Sequence, residues 1–377
     1  MVTRKPLAHG GARLCCGARP LRAAHPRGTA LPFAAALPLA AALASAVAFA
    51  SAPRAAAAQL PPGVTRDPAT AQLDYRAVDA FAEAFRRLPA ARDTAAFLDT
   101  AYVARAGVGF AVYTGLYDVT AAAVSAAIDA DPGRFRRTAL VAPVAVRRLE
   151  PEIRAAFVRL RDRYEPAIFP PVFFLVGRHH AGGAVQREGI LIAVETYADD
   201  ARSPAPDSAA PAGDLSGPGA DGRRFAGLVP LVAHELVHYQ QAAYDVEAYQ
   251  AATYLLARAI KEGVADYVAE LLTGGNINAA AHAYGAEHEW ELWARFRCEM
   301  EGTDTGDWFF RRPANPEWPQ DLGYFVGYRI AALRYARGPD PSAALATLLQ
   351  VDDYRAFLAR SGYEEHLART TGPFPAC

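Results

Sequence analysis

From Leu73 to about Arg163 apolar residues recur every three or four positions among charged ones, as in Val78-Phe81-Phe85 and Ile153-Phe157-Leu160. This is the spacing of helices that bury one face, and it predicts a helical half. Breaks are expected at Gly107, Gly109 and the turn Asp131-Pro132-Gly133. The pattern then changes. Pro170 to Val176 and Gly189 to Val194 are short runs rich in β-branched and aromatic residues, which predict two strands joined by a polar link containing Gly182-Gly183. Between Asp199 and Arg224 the one large apolar side chain is Leu215, among Pro, Gly, Ala, Ser and Asp. Such a composition has nothing to bury and reads as a mobile surface loop. Two strong helical segments follow, about Val229 to Gln241 and Ala251 to Thr273, the second stopped by Gly274-Gly275. The remainder from Ala279 reads as mainly helical, interrupted by the Pro-rich stretch Arg312 to Gln320. The fold class that results is α+β, mainly helical, with a short β-sheet.

Charge adds a compartment to this picture. The 377 residues carry 39 Lys and Arg against 40 Asp and Glu, a formal charge of −1 that argues against a nucleic-acid binder. Residues 1–58 hold seven of the basic residues and no acid, so the rest carries 32 basic against 40 acidic side chains. A basic stretch, the uncharged run Leu31 to Ala50 and the small residues Ala55 to Ala58 read as a secretory signal, with cleavage after Ala58. The 20-residue run is also long enough for an uncleaved membrane anchor. In both cases the positive flank stays inside, and the folded part is exported to the periplasm or secreted. The chain then divides into a leader (1–58), a helical N-terminal half (59–165) and a part that carries the chemistry (166–377). Cys15 and Cys16 fall in the leader, which leaves Cys298 and Cys377. In an oxidising compartment this pair reads as a disulfide rather than a metal pair or a nucleophile; two unrelated thiols are the alternative.

Chemistry concentrates at His234-Glu235-Leu236-Val237-His238, an HExxH pattern inside an apolar helical segment. Residues four apart on a helix face the same way, so both imidazoles can bind one metal, with Glu235 beside it. In the next helix Glu262 and Asp266 fall on a stripe with Leu255, Ala259, Ala269 and Thr273, where a buried face would ordinarily be large and apolar. Glu262 completes a His₂Glu zinc set with a fourth position open for water. Asp266, one turn on, can accept the other N–H of a ligand histidine and fix its tautomer. One zinc so held lowers the pKa of bound water to about 7, and Glu235 serves as general base and then acid in peptide hydrolysis. A serine mechanism has no Gly-x-Ser-x-Gly, and Cys298 has no evident catalytic partner in the sequence.

The succession Phe169 to Arg178, Gly182-Gly183, Gly189 to Ile192, His234 to Gln241, Glu262 to Tyr267 and Gly323 to Tyr328 resembles a bacterial family of predicted zinc-dependent proteases. That family belongs to the gluzincin-like metallopeptidases and is catalogued as a domain of unknown function. The resemblance covers roughly residues 165 to 365 and implies a zincin-type fold, the ligands His234, His238 and Glu262, and Glu235 as the catalytic residue. His179-His180-Ala181, where a polar Asn-Ser-like link is expected, and the long Asp199 to Arg224 loop depart from its pattern. Peptidases of this type also present a sheet edge beside the metal helix. The strand nearest in sequence to His234 is Gly189 to Tyr197, so Ile190 and Ile192 are expected to dock a peptide or protein substrate, with the 199–224 loop either a lid over the cleft or an inert linker. A donor to the oxyanion is expected from a later segment. Tyr324, Tyr328, His282 and His288 are the possibilities, and Tyr324 is favoured because Gly323 and Gly327 allow its helix a close approach. Two other outcomes remain open at this level: a non-catalytic zinc-containing periplasmic binding or assembly protein, and hydrolysis of a non-peptide amide.

Overall fold

The computed structural model describes residues 60–198, 225–310 and 313–377. The segments read from the sequence as a leader with a signal or anchor (1–58) and as a mobile loop (199–224) lie outside the described residues. The first half is helical as its periodicity requires. Helix α1 (Arg76–Arg87) buries Ala77, Val78, Ala80, Phe81 and Ala84 along one face and ends in Arg86 and Arg87, whose charges suit a helix C-terminus. Helices α2 (Thr94–Ala101), α3 (Gly107–Tyr117), α4 (Ala121–Ala130), α5 (Pro132–Arg148) and α6 (Glu150–Arg163) follow. The Asp131-Pro132-Gly133 break is the start of α5: Asp131 accepts from the Arg134 N–H, and Pro132 occupies the first turn, where no N–H is needed. Among the described residues no single helix is long and apolar enough to cross a membrane.

Among the described residues the sheet is mixed, with four strands in the order β1-β2-β4-β3. These are β1 (Leu73–Asp74), β2 (Val172–Leu175), β3 (Gly183–Gln186) and β4 (Gly189–Ala193). The two strands read from the sequence are β2 and β4, and they pair in parallel, Val172 with Ile190 through Leu175 with Ala193. The link between them contains β3, so the hairpin is β3 with β4, in the register Gly183 to Ile192 and Gln186 to Gly189. A parallel pair cannot be closed by a tight turn, and the intervening segment supplies the crossing. β4 has a strand partner on each side and helices packed against it, and it is buried along its whole length. β1 lies inside the segment read as helical, where two residues extend beside β2.

Helix α7 (Leu228–Tyr244) follows the 199–224 loop and is buried from Leu228 through Gln241. Pro230 sits in its first turn, the position that tolerates it. A short α8 (Val246–Ala251), capped by Asp245, separates it from α9 (Leu255–Thr273). Gly274 ends α9 in the left-handed conformation, φ 75°, with its N–H on the Glu270 carbonyl. The remainder comprises α10 (Ala279–Glu287), α11 (Glu289–Glu299), α12 (Leu322–Ala336), α13 (Pro341–Leu349), α14 (Tyr354–Ser361) and α15 (Tyr363–Thr371). α12 packs backbone to backbone on α9: a Cβ at Gly263 would fall inside the Gly327–Tyr328 peptide, and one at Gly327 would strike the Ala259 carbonyl. Cys298, near the end of α11, is disulfide-bonded to Cys377, with Cα atoms 5.4 Å apart. Arg297 reinforces that join through Glu364 and the Pro375 carbonyl.

Candidate metal centre

Helix α7 supplies two imidazoles and α9 one carboxylate. His234 and His238, one turn apart, turn their Nε2 atoms to within 3.0 Å of each other. Glu262 Oε2 lies 3.1 Å from His238 Nε2 and 3.4 Å from His234 Nε2. None of the three residues is more than 4% exposed. A tetrahedral zinc with bonds of 2.0–2.1 Å separates its ligand atoms by roughly 3.3 Å, so the spacing of these three atoms suits that ion.

The other ring nitrogens specify the tautomers. His234 Nδ1 lies 2.9 Å from Asp266 Oδ1, and His238 Nδ1 lies 2.9 Å from Gln241 Oε1 and 3.2 Å from the Tyr249 hydroxyl. Carboxylate and amide oxygens accept, so each Nδ1 carries the proton and each Nε2 presents its lone pair to the shared point. Asp266 is fully buried and uses both oxygens, Oδ2 accepting from Asn278 Nδ2 (2.8 Å) and His282 Nε2 (3.3 Å). Burial would raise its pKa, but hydrogen bonds from His234 and His282 hold it below the usual carboxylate range. Burial likewise opposes ionisation of Glu262, yet the His238 and His234 imidazoles hold it well below that range. For His234, burial favours the neutral ring, whereas Asp266 and Glu262 push its pKa up to about 10. The carboxylates therefore make this buried point favourable for a positive charge.

Glu235, 1% exposed, is not one of the three converging ligands. It lies against Gly183 at the start of β3; a Cβ there would collide with the Glu235 carboxylate, approaching Cγ and Cδ to 2.8 Å. Burial raises its pKa above the usual carboxylate range, and the neighbouring His234 and His238 pull it the other way. That is the direction wanted in a group that takes up and releases a proton near neutral pH.

Of the later residues considered as oxyanion donors, Tyr324 packs beside a ligand, its ring centroid 6.1 Å from that of His234 and 5.3 Å from Phe309. His282 is turned to Asp266 and lies against Tyr328, ring centroids 4.5 Å apart. His288 stacks on Tyr284 at 4.0 Å.

Ile190 and Ile192 are not placed to dock a substrate. Ile190 pairs with Val172 on one side and Val185 on the other, Ile192 with Phe174 and Gly183, and both are fully buried. Their main-chain groups are therefore committed to the sheet. Among the described residues the edge strands are β1 and β3, and β3 lies beside α7: the Tyr239 hydroxyl of that helix donates to the Arg187 carbonyl in the β3–β4 turn, at 3.4 Å.

Four further polar residues support the ligands. Gln241 was accessible to sequence reasoning, since it follows His238 by three positions and so shares its helical face. Tyr249, Asn278 and the role of His282 had no such signal, because each comes from a different element. Compared with protein-family models, curated proteins and solved structures, the chain matches none.

Proposed function

We propose that the chain is an exported zinc metallopeptidase of the gluzincin type, which hydrolyses peptide bonds without a covalent intermediate. The observation that carries this reading is the buried convergence of His234, His238 and Glu262 within 3.0–3.4 Å, with Glu235 adjacent to an edge strand. Those three residues would hold the ion, which supplies a water of lowered pKa and polarises the substrate carbonyl. Glu235 takes the proton of the attacking water at its carboxylate and delivers it to the departing amine nitrogen, so the group returns to its starting form. Tyr324, whose ring packs beside that of His234, is the proposed donor to the carbonyl oxygen. Asp266 and Gln241 hold the imidazoles in the tautomer that the ligand role demands.

A peptide is held in this reading by strand addition to β3, whose outer edge has no neighbouring strand among the described residues. Main-chain pairing gives broad sequence tolerance, and alternate side chains give preference. The disulfide between Cys298 and Cys377 supports export, since such bonds persist outside the reducing cytosol. Metal analysis of the purified chain, combined with a peptide-library cleavage assay, tests the proposal. Cleavage that depends on zinc and on Glu235 supports it. One tightly held zinc without cleavage of any peptide would favour the non-catalytic binding or assembly role instead.

A further inference from the structure

The segment between β2 and β3, residues 176–182, is pinned by side chains drawn from the helical N-terminal half. The Tyr102 hydroxyl accepts from the Val176 N–H at 3.1 Å and donates to the Val176 carbonyl at 2.5 Å. The Tyr113 hydroxyl donates to the Ala181 carbonyl at 3.0 Å, and Arg178 reaches the Tyr117 carbonyl at 3.2 Å. The inside of the segment is occupied by a carboxylate: Glu195 Oε1 accepts from the Gly177 N–H at 2.9 Å and from the His179 N–H at 3.0 Å. His179 adopts a left-handed φ of 53°, a conformation that strains a residue with a side chain. That turn lets both N–H groups point at one oxygen, the arrangement of an anion-binding nest.

Glu195 is fully buried, and its own backbone carbonyl accepts from Arg134 Nη1 at 3.1 Å. Burial pushes its pKa up to about 7 against the pull of the two N–H groups, so its place in the fold carries an energetic cost that an apolar residue would avoid. Its position in the chain gives that cost a purpose. Glu195 stands two residues beyond the end of β4, while the segment it holds runs to Gly182, whose carbonyl accepts from Ala193 at 2.8 Å. The next residue, Gly183, opens β3 against Glu235.

We infer that Glu195 is a positioning residue: by holding the Gly177 and His179 N–H groups it sets the placement of β3 against Glu235, and through it how a peptide is held on that edge. This rests on the peptidase reading for its kinetic consequence but not for its structural one. A residue serving stability alone would loosen the molecule as a whole. A positioning residue acts on β3 and on substrate binding, leaving the metal ligands on α7 and α9 as they were.

The test compares the zinc-loaded full chain with Glu195→Ala and Glu195→Gln by hydrogen–deuterium exchange, metal content and peptide kinetics. In Glu195→Ala, exchange across 176–186 should rise at least about tenfold while peptides from α7 and α9 and the zinc content stay unchanged. KM for a peptide long enough to pair with β3 should rise about fivefold or more, with kcat within about twofold. Glu195→Gln retains an acceptor oxygen and should return both readouts to near the wild-type values. Wild-type exchange across 183–186 in Glu195→Ala, or a KM rise that Gln does not repair, overturns the inference. Should Glu195→Ala not fold, Tyr113→Phe removes the anchor on Ala181 from the same segment and should raise exchange there about threefold; no change would count against the inference. If the wild type cleaves no peptide, the peptidase reading fails, and the exchange result alone decides the role of Glu195.

Discussion

Asp266→Asn isolates what a residue outside the proposed ligand set contributes to holding a metal ion. The substitution keeps shape and volume but removes the negative charge that accepts from His234 Nδ1, Asn278 Nδ2 and His282 Nε2 at 2.9, 2.8 and 3.3 Å. An Asn that offers its oxygen to His234 turns its own NH₂ towards two other donors, and one that satisfies those donors abandons His234. Either way a buried hydrogen bond to a charged group is lost, worth about 1.5–3 kcal/mol, and some of that falls on the donor left unpaired. Because Asp266 also supports the imidazole in its ligand tautomer, the loss should appear in metal affinity as a weakening of roughly 10- to 100-fold. The assay is zinc competition against a chelator of known affinity, at a pH where the protein remains folded by circular dichroism. Asp266→Ala, which leaves three donors without an acceptor, should be at least as weak. A zinc affinity within about threefold of wild type for Asp266→Asn would show that His234 is held by something else and refute this account of the supporting shell.

Other consequences can be measured separately. Gly263→Ala places a methyl group inside the Gly327–Tyr328 peptide, so α9 and α12 must part; thermal unfolding should show a loss of about 1–3 kcal/mol or more, and an unchanged midpoint would mean the helices have room. Cys298→Ser opens a closure spanning 79 residues, which the chain-entropy relation values at about 4–5 kcal/mol. Denaturant midpoints of the oxidised wild type and the variant should differ accordingly, and a difference below about 1 kcal/mol would contradict it. Glu195 gives the fold a pH dependence of definite sign. Its folded pKa, about 7, lies above the ordinary carboxylate value of 4.5, so its contribution is complete below about pH 4.5 and is lost as pH rises through 7. The full swing is about 3 kcal/mol. Arg134, which donates to its backbone carbonyl, Tyr102 and Tyr113 are among the titratable groups that lie near it. Glu195→Gln should flatten stability between about pH 5 and 8, and an unchanged slope would assign that pH dependence elsewhere.

The helices and the convergence of His234, His238 and Glu262 were legible because both rest on helical period. Four residues is one turn of α7, and an acid at Glu262 with another at Asp266 is out of place on a stripe that must be buried. The sheet was only half legible. β2 and β4 are runs of Phe, Val, Ile and Leu, whereas β3 reads Gly183-Ala184-Val185-Gln186, with one branched residue and little bulk. It is small because Glu235 occupies the space on its inner side, so the feature that makes it useful also hides it. Overlooking it turned β4 into an apparent edge and Ile190 and Ile192 into apparent docking residues. The close approach expected of the helix bearing Tyr324 was readable at Gly327, but its partner Gly263 was not, since a glycine inside a helical pattern does not say which neighbour it admits. Tyr102, Tyr113 and Glu195 meet residues 176–181 only in three dimensions, across 68 or more positions for the two tyrosines.

The central claim is that Glu235 moves a proton in peptide hydrolysis supported by a His₂Glu zinc. Its most direct test is the rate of peptide cleavage by the wild type and by Glu235→Gln, measured at equal and verified zinc content. The amide cannot accept the water proton, so the variant should bind one zinc and the same peptides while kcat falls at least about 100-fold. Equal turnover by the two proteins at matched zinc would contradict the mechanism, and so would loss of zinc from the variant, because Glu235 would then belong among the ligands.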